Sequence, residues 1–335
     1  MYSLHDYSRM IVDETRVGAY VRALEAVVRP GSVVADVGAG TGLFALLACR
    51  LGARRVYAID TNGAIALGPE LAHENGYSDR IVFFHRDARE VELPEPADVI
   101  VSDLRGALPF CGDHLAVLSD VRRRFLKPGG VLIPCCDHLR VAVVESPRLH
   151  EWATGPSDGP LGLRLDGLRA RLTNASCRDR VTEPLLPSHI LSTITTWATL
   201  EYASASVAPV AGEAELRVER AGIGHGLALW FDAFLTEEIG FSTGPGHELC
   251  YGRLFLPWPS PVVLSKGDDV RVNLWSQPQG SPWGWNTSVH SSSTGRTIQS
   301  FKQSDFLSWP ENPSPPAARQ AIAKDALRGH SVDPR

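Results

Sequence analysis

The sequence predicts two unlike halves: an α/β domain built on a parallel sheet, then a β-barrel or sandwich domain. Three observations carry this expectation. Strand-like runs closing on aspartates alternate with helical stretches through the first 145 residues, and a glycine triplet follows the first run. Beyond residue 146 short apolar runs succeed one another at turn spacing, and seven of the eight tryptophans lie past residue 190. Strands alternating with helices imply a parallel sheet, and closely spaced short strands imply a sandwich or barrel.

Length and composition set the outer bounds. At 335 residues the chain exceeds one average domain, so two are expected. An apolar share of 44% with 21% charged residues fits a globular protein. A net charge of −5 with no long Lys/Arg run argues against a nucleic-acid partner. Arg122, Arg123 and Arg124 read as one solvated helix face. No apolar run nears the roughly 18 residues of a membrane span, and the first residues lack the regions of a signal peptide. Six scattered cysteines without zinc spacing imply reduced thiols, no metal and a cytoplasmic setting.

In order, residues 7–28 carry helical periodicity, with Met10, Ile11, Val17, Tyr20, Val21 and Leu24 on one broad face. Pro30-Gly31 ends that helix. Val33 to Val37 is a buried strand that turns through Gly38, Gly40 and Gly42 into an apolar helix. Further strands are expected at 55–59, 80–84 and 97–102, followed closely by Asp60, Asp87 and Asp103. Residues 104–114 form a loop at the edge where substrate enters, then a helix to Phe125 and strands at 131–134 and 139–145. The second domain runs from 146 to 309, with strands expected at 194–202, 214–220, 227–235, 249–256 and 270–275. Trp283 and Trp285 stand in a Gly/Pro-rich stretch and read as exposed. A Pro-rich linker and tail fill 310–335.

The glycine loop carries the chemistry. A strand that turns through glycines into a helix brings backbone N–H groups to a helix N-terminus, where a ligand approaches closely. The spacing is not the dinucleotide one, whose third glycine would fall at Leu43 rather than Gly42, and no P-loop lysine follows. In parallel sheets ligands lie at the carboxyl ends of the strands, where this chain sets four aspartates: Asp36, Asp60, Asp87 and Asp103. A carboxylate after the second strand suits a ribose diol, because it accepts from both hydroxyls. Asp87, with the neighbouring Ala88 backbone, suits an adenine amino group. Arg16 matches a carboxylate bidentately.

The spacing from Asp36 to Gly42 resembles motif I of the class I S-adenosylmethionine (SAM) methyltransferases. The helix Met10 to Arg16 followed by Tyr20, the strand Gly52 to Asp60, the turn Glu90 to Pro94 and the stretch Gly240 to Thr243 together resemble the protein arginine methyltransferases. That resemblance covers the chain to about residue 305. It implies a Rossmann-like SAM-binding domain followed by a β-barrel, an arginine at 16 on the cofactor carboxylate, and a homodimer through an arm at 161–172. It also implies two acids around an acceptor guanidinium. Here Asp103 takes the first place with a shorter side chain, and Gly112 falls at the second. Asp113 and Glu248 are then the candidates for the second acid, with His247 in the degraded counterpart of the family's Thr-His-Trp loop. His114 or His247 would serve as base for a hydroxyl or imidazole acceptor. Three functions stay open at this point: methyl transfer to nitrogen of a peptide, protein or amino acid; N- or O-methylation of a small metabolite; and a non-catalytic scaffold.

Overall fold

A computed structural model describes residues 2–178, 184–247, 249–277 and 283–305. The Pro-rich tail falls outside this range.

The N-terminal helical stretch is two helices, α1 (Leu4–Ile11) and α2 (Glu14–Val27), rather than one. Asp13 makes the break. Its Oδ1 accepts from the Arg16 N–H at 3.0 Å and so caps α2, while Oδ2 accepts from the Cys250 N–H at 2.9 Å. One short acid thus ends the first helix, starts the second and ties both to the far half of the chain.

The strands β1 (Val33–Val37), β2 (Arg55–Asp60), β3 (Ile81–His85), β4 (Ala97–Ser102) and β5 (Leu126–Ile133) form a five-stranded sheet in the order β3-β2-β1-β4-β5. All its pairings are parallel. Helices α3 (Leu43–Arg50), α4 (Gly68–Glu74) and α5 (His114–Phe125) connect them. The order runs outward from β1 in both directions, so the crevice opens at the carboxyl ends of β1 and β4. β1 is buried at every position, as befits a central strand whose residues other than Asp36 are Val or Ala.

The second half is antiparallel. β6 (Cys136–Val144) leads through α6 (Pro147–Thr154) and α7 (Asp166–Leu172) to β7 (Cys177–Arg178), β8 (Thr195–Glu201), β9 (Val210–Arg217) and the long β10 (Gly222–Phe234). β11 (Gly240–Ser242), β12 (Leu254–Leu264), β13 (Asp269–Ser276), β14 (Trp283–His290) and β15 (Thr297–Ser304) complete it. One sheet has the order β7-β12-β10-β6-β8 with β11 on β10, and the other β15-β14-β13-β9. β8 lies against β9 and β12 against β15, closing the barrel-like core.

Trp283 and Trp285 are buried, against expectation. They begin β14, paired with β13 in register Ser276 to Trp283 and Leu274 to Trp285, which turns both indoles inward despite the neighbouring Gly and Pro. The arginine face is also not simply solvated. Arg124 donates to the Ala88 carbonyl at 2.7 Å and Arg122 to the Tyr202 carbonyl, leaving Arg123 as the exposed member. Phe110, from the loop after β4, is fully buried and packs on Trp283 (centroids 5.1 Å) and edge-on to Trp197 (6.0 Å). That loop plugs the first half into the second.

Candidate active site

A cavity of about 450 Å³ lies where the carboxyl ends of β1, β2 and β4 meet the barrel. Gly38 and Asp60 form one wall, Arg16 and Phe44 another, and Tyr251 with Cys250 the barrel side. A second cavity of about 180 Å³ shares Gly38, Asp60 and Leu104 with it and continues to Asp87, Ala88 and His114.

The loop takes its shape from glycine. Gly38, Gly40 and Gly42 all have positive φ (81°, 57° and 90°), a region that residues with a Cβ rarely enter. Space excludes a side chain as well: a Cβ on Gly38 would lie 2.4 Å from Leu104, and one on Gly40 2.4 Å from Tyr7. Asp60 fixes the loop from β2, its Oδ2 accepting from Gly40 N–H at 2.7 Å and its Oδ1 from Asn62 N–H at 2.6 Å. A carboxylate offers about four acceptor positions, so two remain for a diol in the cavity.

Asp36 sits beneath the loop rather than on the cavity wall. Its Oδ2 accepts from Ala45 N–H at 2.9 Å at the start of α3, and Oδ1 has no partner among the described residues. Burial pushes this carboxyl up to about 8, only partly opposed by the Ala45 hydrogen bond. It is a neutral acid at neutral pH that holds the helix to the strand.

Asp103 is the hub. Burial opposes its ionisation, but the guanidinium groups of Arg16 and Arg105 outweigh burial and hold it at about 2. Arg16 Nε donates to Oδ2 at 2.6 Å and Arg105 Nε to Oδ1 at 3.1 Å, and the Tyr251 hydroxyl also donates to Oδ2. Arg16 lies over Phe44 (5.3 Å) and Tyr20 (5.6 Å), which stack on each other at 4.4 Å. Its Nη1 donates to the Met10 carbonyl at 3.2 Å, and its position on the cavity wall leaves guanidinium edge for a carboxylate.

The remaining sequence candidates separate. Asp87 and Asp113 line the smaller cavity and both hold Arg89, at 2.6 Å and 3.0 Å from Nη2. Asp113 is therefore brought to the cofactor side of the cleft and not to Asp103. His114 is fully buried beside that cavity, edge-on to Tyr202, with both ring nitrogens unpartnered among the described residues. Burial, aided by Arg105, lowers it to about 3, so the imidazole is neutral near pH 7. His247 is exposed and lines neither cavity. Glu248 lies outside the described residues.

Four residues went unforeseen: Tyr251, Arg105, Tyr20 as a polar group, and Asp137. Arg105 Nη1 donates to Asp137 Oδ1 at 3.0 Å and Nη2 to the Tyr20 hydroxyl at 2.7 Å, while Tyr202 donates to Asp137 Oδ2 at 2.6 Å. The one signal in the sequence was position: Arg105 follows Asp103 by two in the loop facing the cleft, and Tyr251 follows the His247 stretch.

These residues fit S-adenosylmethionine. The two neighbouring cavities are lined by an arginine that suits a carboxylate and by Asp60, which keeps acceptor capacity that suits a ribose, while the His114 imidazole stands buried behind the smaller one. Comparison with known proteins points the same way. A family described as ribosomal protein L11 methyltransferase matches residues 15–134. The chain is 33% identical over 144 residues to a probable protein arginine N-methyltransferase 6 of Arabidopsis thaliana, covering 42% of this chain but only 33% of that one. It is 27% identical over 290 residues to protein arginine N-methyltransferase 6 of Xenopus laevis, covering 82% of this chain and 84% of the relative. Among solved structures, a Trypanosoma brucei PRMT1 enzyme–prozyme heterotetrameric complex with AdoHcy superposes with a TM-score of 0.78 at 19% identity, over 90% of this chain and 98% of that one.

Proposed function

We propose that this chain, which a methyltransferase family matches over residues 15–134 and which is similar over most of its length to protein arginine N-methyltransferase 6 of Xenopus laevis, moves the methyl group of SAM to a guanidino nitrogen of a peptide or protein arginine. The observation that carries this reading is the cavity itself, bounded by the glycine loop on one side and by Asp103 and Tyr251 on the other. The proposed cofactor set is Arg16 on the carboxylate, the Gly38–Gly42 loop and Asp60 on the ribose, and Asp87 with Ala88 at the adenine.

Bound SAM supplies an electrophilic methyl, and the protein's task is to align a nucleophile with it. A guanidinium stays protonated near neutral pH, so a carboxylate must bind it and draw its charge away from the attacking nitrogen. In this reading Asp103 is that carboxylate. It is ionised, buried, and fixed by Tyr251 at the boundary of the two halves. Low local dielectric strengthens its pull on a cation. Asp103 shields the acceptor's charge, Arg16 and Phe44 exclude water from that side, and Tyr251 keeps the carboxylate oriented.

The test is incubation with methyl-labelled SAM and arginine-rich peptides, followed by total hydrolysis. Label in methylarginine is expected. Label only on oxygen, or only on a small molecule, would remove the reading.

The leucine-bearing segment supports a homodimer. Leu161, Leu163 and Leu168 are exposed by 103%, 63% and 47%, and α7 buries none of its residues in the single chain. An apolar row of this kind is ordinarily covered by a partner. The similar T. brucei protein is itself an assembly.

A further inference from the structure

The loop after β4 holds a guanidinium that the mechanism does not use. Arg105 is wholly excluded from solvent, yet it stands at the wall of the large cavity. Its head is bracketed by two carboxylates from different elements, Asp103 beyond β4 and Asp137 in β6. Aromatic rings surround it: Phe231 at 5.2 Å, Phe241 at 5.4 Å, Tyr251 at 5.7 Å and Tyr20 at 6.0 Å. Two acids and a ring of π-faces are the chemistry that recognises a planar cation. Stability alone does not call for it, since apolar side chains of similar volume commonly serve as well as a buried ion network.

We propose that Arg105 is the resident occupant of the acceptor cradle and so its specificity-determining residue: the chain's own guanidinium holds the place of a substrate guanidinium, which must displace it to reach Asp103. This rests on the arginine-acceptor reading above. No bond forms or breaks in the exchange; one guanidinium replaces another on the same two carboxylates. Residues 103–106 belong to neither strand nor helix, so the exchange costs no ladder hydrogen bond.

The experiment uses the full chain saturated with S-adenosylhomocysteine, as wild type, R105A and R105K, with cofactor affinity as the check on folding. Each is titrated calorimetrically with methylguanidinium chloride and an arginyl peptide, with sodium chloride as the ionic control. R105A should bind methylguanidinium at least about tenfold tighter than wild type, or 1.4 kcal/mol, and should methylate the peptide faster. Should R105A fail to fold, R105K keeps a charge on the acids without the planar head and should show the same gain for the peptide. A folded variant with no gain in guanidinium affinity overturns the proposal and leaves Arg105 a structural ion. A wild type that methylates arginyl peptides as fast as either variant likewise removes the occupant while keeping the arginine reading. Methylguanidinium binding to R105A without methylated arginine supports the cradle and removes the arginine reading instead.

Discussion

The Tyr251 hydroxyl donates to Oδ2 of Asp103, joining residues 148 positions apart across the junction of the two halves. The same oxygen takes the Arg16 Nε–H. Cofactor side and acceptor side therefore share one carboxylate, and loss of the phenol should be felt by the acceptor first. Tyr251→Phe should cost about 1–2 kcal/mol of stability. It should also lower the rate of methyl transfer while leaving S-adenosylhomocysteine affinity near wild type. Calorimetry and single-turnover kinetics on one preparation separate the two; equal loss in both would show that Tyr251 serves the cofactor.

Asp103 makes stability depend on acid. Its carboxyl lies at about 2 in the folded chain against an ordinary 3.8. A depressed folded value adds stability that is complete above about pH 4 and lost as pH falls towards 2. The amount is about 2 kcal/mol. Asp103→Asn should flatten urea-unfolding stability across that window, and should cost about 3 kcal/mol at neutral pH by leaving two buried guanidinium groups short of charge. An unchanged acid limb would rule out this linkage.

Asp36 acts with the opposite sign. Its folded value of about 8 lies above the ordinary 3.8, so the folded chain holds a proton that the unfolded chain releases. Stability therefore falls as pH rises from about 4 to about 8. Asp36→Asn, neutral throughout, should lose that slope and gain on wild type towards pH 8. Parallel slopes for the two proteins would place the titration elsewhere.

Asp60 meets the glycine loop through Gly40 and keeps acceptor capacity facing the cavity. Asp60→Ala should weaken binding of S-adenosylhomocysteine by about 1–3 kcal/mol. Unchanged affinity by calorimetry would remove the ribose assignment.

Light scattering at micromolar concentration should give a dimer mass for the wild type. Replacing Leu161 and Leu168 by aspartate should give the monomer with cofactor binding intact. A monomeric wild type would count against the arm.

The sequence made legible what is set locally. The glycine loop, the parallel order and the acids at strand ends follow from short spacings, since a strand, a tight turn and a helix start within ten residues of one another. The helix break at Asp13 was readable as a capping acid three residues before Arg16, but the apolar face running through it concealed the stop. Residues 283–285 were misread because Gly and Pro nearby outweighed a pairing with β13 that only the folded sheet supplies. For the Asp103–Arg105–Asp137 chain and the reach of Tyr251 the sequence offered only the positions of Arg105 and Tyr251 near other candidates, not their partners. They depend on which side chains meet when β6 and the 249–253 stretch close on the loop after β4, and no local spacing encodes that meeting.

Phe110 and Arg105 leave the same short loop and enter opposite environments, one among the indoles of Trp197 and Trp283 and the other among acids. Pulling the plug would expose aromatic surface on one side and strand unpaired charge on the other, so the two halves are expected to denature together. Heating should yield one sharp calorimetric peak rather than a pair, and proteolytic separation near residue 145 should release fragments that do not survive apart.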